Sequence, residues 1–318
     1  MMSVARLAVA AALALAAGAA AAQEFPSKPI RIIVPYAAGG SSDIQTRLVA
    51  QRMGERIKQP LVVENRPGGN AVIGVNAVAR SPADGYTIGF MNLPAASHVF
   101  NKDLPYNSDK DFQPLAGLYR AVYALAVSTN LPVKTLKEFV DYAKANPGKL
   151  NFAQQAITAR LTMEMLMHTA GIKLVPIQYK GTAPSLQAML VNEIQAMIDL
   201  GGVFGTLSQQ GKARVLAITG DQRLPQLPDV PHMAELGYPQ MRTALTVGFW
   251  GPAGMPTAVV SQLNAALVEA IRSPDVAARM NQDGVTPFPS SPDELRARYR
   301  AEVDFWTEAS KVANYKPE

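Results

Sequence analysis

Short aliphatic runs alternate with helical stretches along most of this chain, and no linker interrupts them. Strands are predicted at Ile30–Val34, Leu61–Val63, Tyr86–Met91, Tyr123–Val127, Leu150–Phe152, Leu174–Tyr179, Ile194–Leu200, Val215–Thr219 and Leu245–Gly251. Between them, apolar residues at helical spacing predict helices at Ile44–Lys58, Ala71–Arg80, Thr135–Ala145, Ala159–Ala170 and Thr182–Val191. The chain then ends in helices at Ala258–Arg272, Ser273–Asp283 and Pro292–Val312. Such alternation predicts an α/β fold with parallel sheets covered on both faces. A chain of 318 residues is long enough for about two domains. No Gly/Ser-rich stretch divides it, so two lobes joined by crossing strands are expected rather than two beads on a string.

The first 22 residues differ in kind. Met1–Arg6 carries one positive charge, Leu7–Ala17 is apolar, and Ala20-Ala21-Ala22 offers small residues for cleavage. This is the pattern of a secretory signal peptide. A membrane anchor is the other reading, but a span needs about 20 strongly apolar residues and this segment is short and mostly Ala. The chain contains no Cys, hence no disulfide and no lipidated Cys. A soluble periplasmic protein cleaved near Ala22/Gln23 is expected.

Charge narrows the partners. The net charge is +5, from 30 basic and 25 acidic residues, and the basic residues form no run or stripe. Nucleic acid is therefore not expected, and an anionic ligand is favoured only weakly. No nucleophile elbow, phosphate-binding loop, dinucleotide fingerprint or zinc-protease motif occurs. The three histidines, His98, His168 and His232, have no metal-site spacing. No catalytic residue, metal or cofactor is expected.

One loop carries candidate chemistry. Ile32-Ile33-Val34-Pro35 ends a buried strand, Gly39-Gly40 allows a tight turn, and Ser41-Ser42-Asp43 stands where a helix begins. Free N–H groups and the partial positive charge of a helix start attract carboxylate or phosphate. Plain helix capping by Ser41 or Ser42 is the alternative, and Asp43 is read mainly as a capping residue. Pro67-Gly68-Gly69-Asn70 has the same local form but also reads as a structural turn. Asn92, ending a third strand, is placed to reach the same crevice.

Taken in order, several stretches resemble the tripartite tricarboxylate transporter receptors, the Bug family of periplasmic binding proteins. They include Phe25-Pro26-Ser27-Lys28-Pro29-Ile30, Val34 to Asp43, Val63-Glu64-Asn65-Arg66-Pro67-Gly68-Gly69 and Ala83-Asp84-Gly85-Tyr86-Thr87. Tyr179-Lys180-Gly181-Thr182-Ala183-Pro184, Leu227-Pro228-Asp229-Val230-Pro231 and Gly251-Pro252-Ala253-Gly254-Met255-Pro256 continue the resemblance through nearly the whole chain.

The resemblance implies a two-lobed type II periplasmic-binding fold that closes on a small organic acid. It implies no enzymatic activity, and as partners the membrane permease subunits of a transporter. Lobe 1 is expected at residues 23–120 and 245–318, lobe 2 at 121–244, and the protein as a monomer. The first loop, Tyr36 to Ser41 with Ala38, Gly39 and Gly40, is expected to hold a carboxylate. The second lobe is expected to contribute a loop matching Asn151–Arg160, with Tyr179 and Asp199 also near the ligand. Here the sequence departs from the family pattern: it lacks glycines, and Arg160 falls near a customary His. Arg160 opposes the dipole of its helix, so it either points to solvent or takes a carboxylate, with Gln154, Gln155 and Thr158 beside it. The second option suits a flat or dicarboxylic acid, such as an aromatic dicarboxylate. A ligand-presenting module for a membrane kinase, or an exported α/β enzyme, would fit the same sequence class.

Overall fold

Ile30–Val34 forms β1, whose side chains are almost all buried. It pairs in parallel with Leu61–Asn65 (β2) on one side and Thr87–Met91 (β3) on the other. The helices Ser41–Ile57 (α1) and Val72–Ala79 (α2) make the connections. The computed structural model describes residues 25–317 apart from Ala37, Gly40, Asn70, Lys180, Gln222 and the side chain of Ser41. The signal-like segment and Gly40 therefore lie outside the described residues.

A long strand, Phe112–Val127 (β4), leaves this first half. The second half holds Leu136–Ala145 (α3), Asn151–Gln154 (β5), Ile157–Ala170 (α4), Val175–Gln178 (β6), Thr182–Leu190 (α5), Ala196–Leu200 (β7), Gly205–Gln209 (α6) and Arg214–Ile218 (β8). The chain returns through Ala244–Pro252 (β9) to Thr257–Arg272 (α7), Pro274–Gln282 (α8), the short Thr286–Pro287 (β10) and Pro292–Val312 (α9). One continuous sheet results, in the order β2-β1-β3-β9-β4-β7-β5-β6. This is the two-lobed α/β arrangement joined by crossing strands. Among the described residues no helix is long and apolar enough to cross a membrane.

The sheet is not wholly parallel. β9 runs antiparallel to both β3 and β4. A strand that leaves one half and a strand that returns to it run in opposite directions, so pairing them side by side makes an antiparallel ladder. β4 pairs with β9 up to Val122 and with β7 and β8 from Tyr123 onward. Its first part contains Pro114 and Gly117, residues that break a strand pattern in sequence. The ladder shifts register at both places, between Pro114 and Ala116 and between Gly117 and Tyr119. The two irregularities absorb residues that a regular ladder would reject.

Each half has its own core. Ile32, Met53, Phe249 and Leu267 pack in the first, and Phe139, Phe152, Leu166 and Ile198 in the second. α9 belongs to both. Its start is set by Pro292 in the first turn and a reciprocal pair between Ser291 and Glu294. Leu295 and Tyr299 then pack beside Trp250 in the first half. Trp306 and Ala309, two turns further on, pack into the core of the second.

Candidate functional site

The loop after β1 is tied down by one carboxylate. Gly39 adopts φ +81°, and its N–H donates to Asp43 Oδ2 at 2.9 Å. Arg47 Nε donates to the same oxygen at 3.1 Å, and Asn65 Nδ2 donates to Oδ1 at 3.0 Å. Asn65 Nδ2 also donates to the Tyr36 carbonyl at 3.1 Å, so the end of β2 holds the loop from its other side. Asp43 is buried, and the Arg47 hydrogen bond, with those from Gly39 and Asn65, holds its carboxyl below the usual carboxylate range. A Cβ at Gly39 would meet nothing within 4 Å, so glycine is needed there for its backbone conformation and not for space. Asp43 thus acts on the loop before the helix, and the Gly39 amide is already used. Ala38 and Gly39 are exposed. Tyr36 is half-buried, its ring edge-on to Phe90 at 6.2 Å, and burial raises its phenol pKa.

A cleft of about 590 Å³ draws its lining from several separate parts of the chain. Gly69, Phe100, Asn101, Gln154, Gln155, Ile157, Arg160, Gln178 and Tyr315 line it. Gly68 and Gly69 both have positive φ, which lets the loop after β2 turn beside the cleft. Phe100 and Tyr315 meet at a tilt, ring centres 6.4 Å apart. At the cleft α4 begins at Ile157 without a side-chain cap, and its first turn holds no acid. Its leading N–H groups and the positive end of its dipole therefore suit an anion.

Arg160 sits in the second turn of α4. Its Nε has no hydrogen-bond partner and lies 3.9 Å from Glu164 Oε1, an ion-pair distance too long for a hydrogen bond. Gln155 is fixed from behind. Its Nε2 donates to the Ile198 carbonyl at 2.6 Å and to Asp199 Oδ2 at 3.2 Å. Both partners are acceptors, which settles which end of the amide faces them. Asp199 also accepts from Thr182 Oγ1 at 2.7 Å and from the Leu200 N–H at 2.7 Å. It therefore anchors Gln155 and the start of α5 and does not line the cleft itself.

The remaining expected residues have other partners. Thr158 hydrogen-bonds the buried Tyr123 phenol, and its carbonyl accepts from Thr162. Tyr179 donates to Glu193 Oε1 at 2.8 Å, with its pKa pushed up to about 12 by burial first and Glu193 second. Asn92 Oδ1 accepts from the Ala95 N–H at 3.3 Å and caps the short turn Pro94–Ala96. The structure thus brings Gln154, Gln155 and Arg160 into one cleft, with Asp199 directly behind. Gly69, Phe100, Asn101, Gln178 and Tyr315 are additional lining residues. The Gly68-Gly69 pair before a helix was a legible signal for one of them; Phe100, Asn101 and Tyr315 carry none.

The model of the tripartite tricarboxylate transporter family receptor matches residues 45–306. The chain belongs to this receptor family. BugT of Bordetella pertussis is 32% identical over 290 residues, covering 90% of this chain and 89% of BugT. Among solved structures, the receptor is similar to Rpa4515 of R. palustris with adipate, at 28% identity and TM-score 0.74, covering 93% of this chain and 100% of the other. It is also similar to MatC of Rhodopseudomonas palustris with bound malate, at 28% identity and TM-score 0.69, covering 90% and 99%. The receptor's family is one of solute-binding proteins and not of enzymes.

Proposed function

We propose that the protein is a periplasmic receptor that captures a small organic carboxylate by closing its two lobes and hands it to the membrane subunits of a tripartite transporter. The observation that carries this reading is Arg160, a half-buried guanidinium that lines the cleft beside the uncapped start of α4. A planar guanidinium and free helix N–H groups are complementary to a carboxylate. The adipate and malate held by the two structural relatives support the same ligand class. The relatives give no support to a sensor module or an exported enzyme.

The finer ligand is a flat or dicarboxylic acid. Arg160, Gln154 and Gln155 would take one carboxylate, with Thr158, Tyr179 and Asp199 in support. The loop Tyr36, Ala38, Gly39, Gly40 and Ser41, with Asn92, would meet the other end after closure. Phe100 and Tyr315 among the lining residues favour an aromatic ring, since ring faces pack at low entropic cost. Lobe 1 is proposed as residues 23–120 and 245–318 and lobe 2 as 121–244. The change of partner in β4 after Val122 supports this division, and α9 reaches across it. The protein would act as a monomer after cleavage near Ala22/Gln23.

The test begins with native mass spectrometry of protein purified from the periplasm without denaturation, reading both the mature mass and any retained acid. Calorimetry with phthalate, terephthalate, adipate and malate follows. Micromolar or tighter binding of at least one supports the receptor. Binding of none, with no retained acid, removes the carboxylate reading.

A further inference from the structure

Three connections between the halves converge on one place. In β4, Arg120 stands opposite Thr246 of β9, two residues before β4 changes partner. In α9, Glu302 lies midway between Tyr299, in the core of the first half, and Trp306, in that of the second. A cavity of about 30 Å³ sits there, lined by Arg120, Thr243, Glu302 and the flanking Arg242 and Arg298. Arg120, Thr243 and Glu302 are 5%, 2% and 6% exposed. Each carries an atom with no hydrogen-bond partner: Arg120 Nε, Thr243 Oγ1 and Glu302 Oε2. The outer nitrogens of Arg120 and Arg298 are engaged elsewhere, donating to Asp221 at 2.7 Å and 3.2 Å. Buried polar groups are rarely left unpaired, because each one costs its full desolvation.

We infer that this cavity is a hinge site holding one buried water, bonded to Arg120 Nε, Thr243 Oγ1 and Glu302 Oε2. The space is large enough to hold a water, and such a water needs two to four polar partners. The three unpartnered atoms of the lining residues are an N–H donor, a hydroxyl and a carboxyl oxygen. A water accepts two and donates two hydrogen bonds, so it satisfies all three at once, whereas a halide only accepts. Its position gives it a use. Lobe closure rotates β4, β9 and α9 against one another, and a bridging water re-forms its bonds as its partners shift. The hinge role rests on the two-lobed receptor reading; the water does not.

Crystals grown with sodium bromide and with sodium acetate test the site. The expected result is density for one water within hydrogen-bond distance of all three atoms in both, without anomalous signal. A bromide peak in the cavity overturns the inference in favour of an anion site, and an empty cavity overturns it outright. Thr243→Val then removes one partner at nearly constant shape. Stopped-flow tryptophan fluorescence on mixing with adipate or phthalate, whichever binds more tightly, reads closure. The expected change in closing rate is roughly twofold or more. An unchanged rate removes the hinge role even if the melting temperature falls. A wild-type protein without any closing phase sinks the receptor reading and the hinge role together, while the density still decides the water.

Discussion

The Gly39 amide donates to the Asp43 carboxylate, four residues ahead of it, at 2.9 Å. With Arg47 and Asn65 on the same carboxylate, this bond sets the shape of the loop between β1 and α1 before any ligand arrives.

Replacing Asp43 by Asn keeps the shape but removes the charge that Arg47 and two N–H groups share. Hydrogen bonds to charged groups contribute about 1.5–3 kcal/mol each, and part of this returns through water, so a net loss of about 1–3 kcal/mol in folding stability is expected. The pH dependence has a definite sign. The folded-state pKa of Asp43 is lowered, so its stabilisation is complete above the unfolded carboxylate pKa and is lost as pH falls through the folded one. Urea denaturation of the two proteins at pH 7 and near pH 3 should show a gap that closes in acid. A gap of equal size at both pH values rejects the role given to Asp43.

Arg160 and Gln155 divide the work at the second wall. Gln155 is held by Ile198 and Asp199, whereas Arg160 Nε makes no hydrogen bond and has only Glu164 at ion-pair distance. Arg160→Ala should weaken binding of the best acid by about 1.5–3 kcal/mol, a tenfold or greater rise in Kd. Arg160→Lys keeps the charge without the planar fork and should recover only part of this. Dicarboxylates should lose more than monocarboxylates. Calorimetric Kd values equal to wild type for both variants would mean that Arg160 faces solvent and binds nothing.

How much of this was legible in the sequence depends on the reach of each signal. Helices such as Thr182–Leu190 and Pro292–Val312 stood out because their periodicity and their Pro and Gly punctuation are local. The first part of β4 did not, since Pro114 and Gly117 belong to a ladder whose partner, β9, lies more than a hundred residues later. The same distinction governs the cleft. Gln154, Gln155 and Arg160 share one strand–helix junction and could be read together. Phe100 and Tyr315 reach the cleft from distant parts of the chain, through contacts that no local pattern encodes. Tyr179 lay in the right stretch, but its partner Glu193 turns it elsewhere.

Closure should be visible in solution. β4 runs through the proposed boundary and β9 begins at it, which suits a hinge and leaves no room for a loose tether. A ligand that contacts both walls binds the closed form better and shifts the population toward it. Small-angle X-ray scattering should give a smaller radius of gyration with saturating acid than without. The same radius in both, with binding verified by calorimetry, would place the ligand on one lobe only.

Glu302 provides the last test, on stability. It is buried between the two cores, and burial pushes its carboxyl pKa up to about 8, with Thr246, Arg120 and Arg298 opposing the rise. In the unfolded chain the carboxyl has its ordinary value of 4.5. Between these values the folded protein holds a proton that the unfolded chain has released. Stability is therefore fullest below the unfolded pKa and declines as pH rises toward the folded one. Glu302→Gln fills the same volume and does not titrate. The variant should match or exceed the wild type at pH 8, and the difference should shrink as pH falls toward 4.5. One unit of pKa difference corresponds to about 1.4 kcal/mol, so a change of at least about 1 kcal/mol across this range is expected. Denaturation midpoints at pH 4.5, 6 and 8 for both proteins provide the measurement. Parallel curves would show that Glu302 is ionised in the fold and that Arg120 and Arg298 compensate its charge completely.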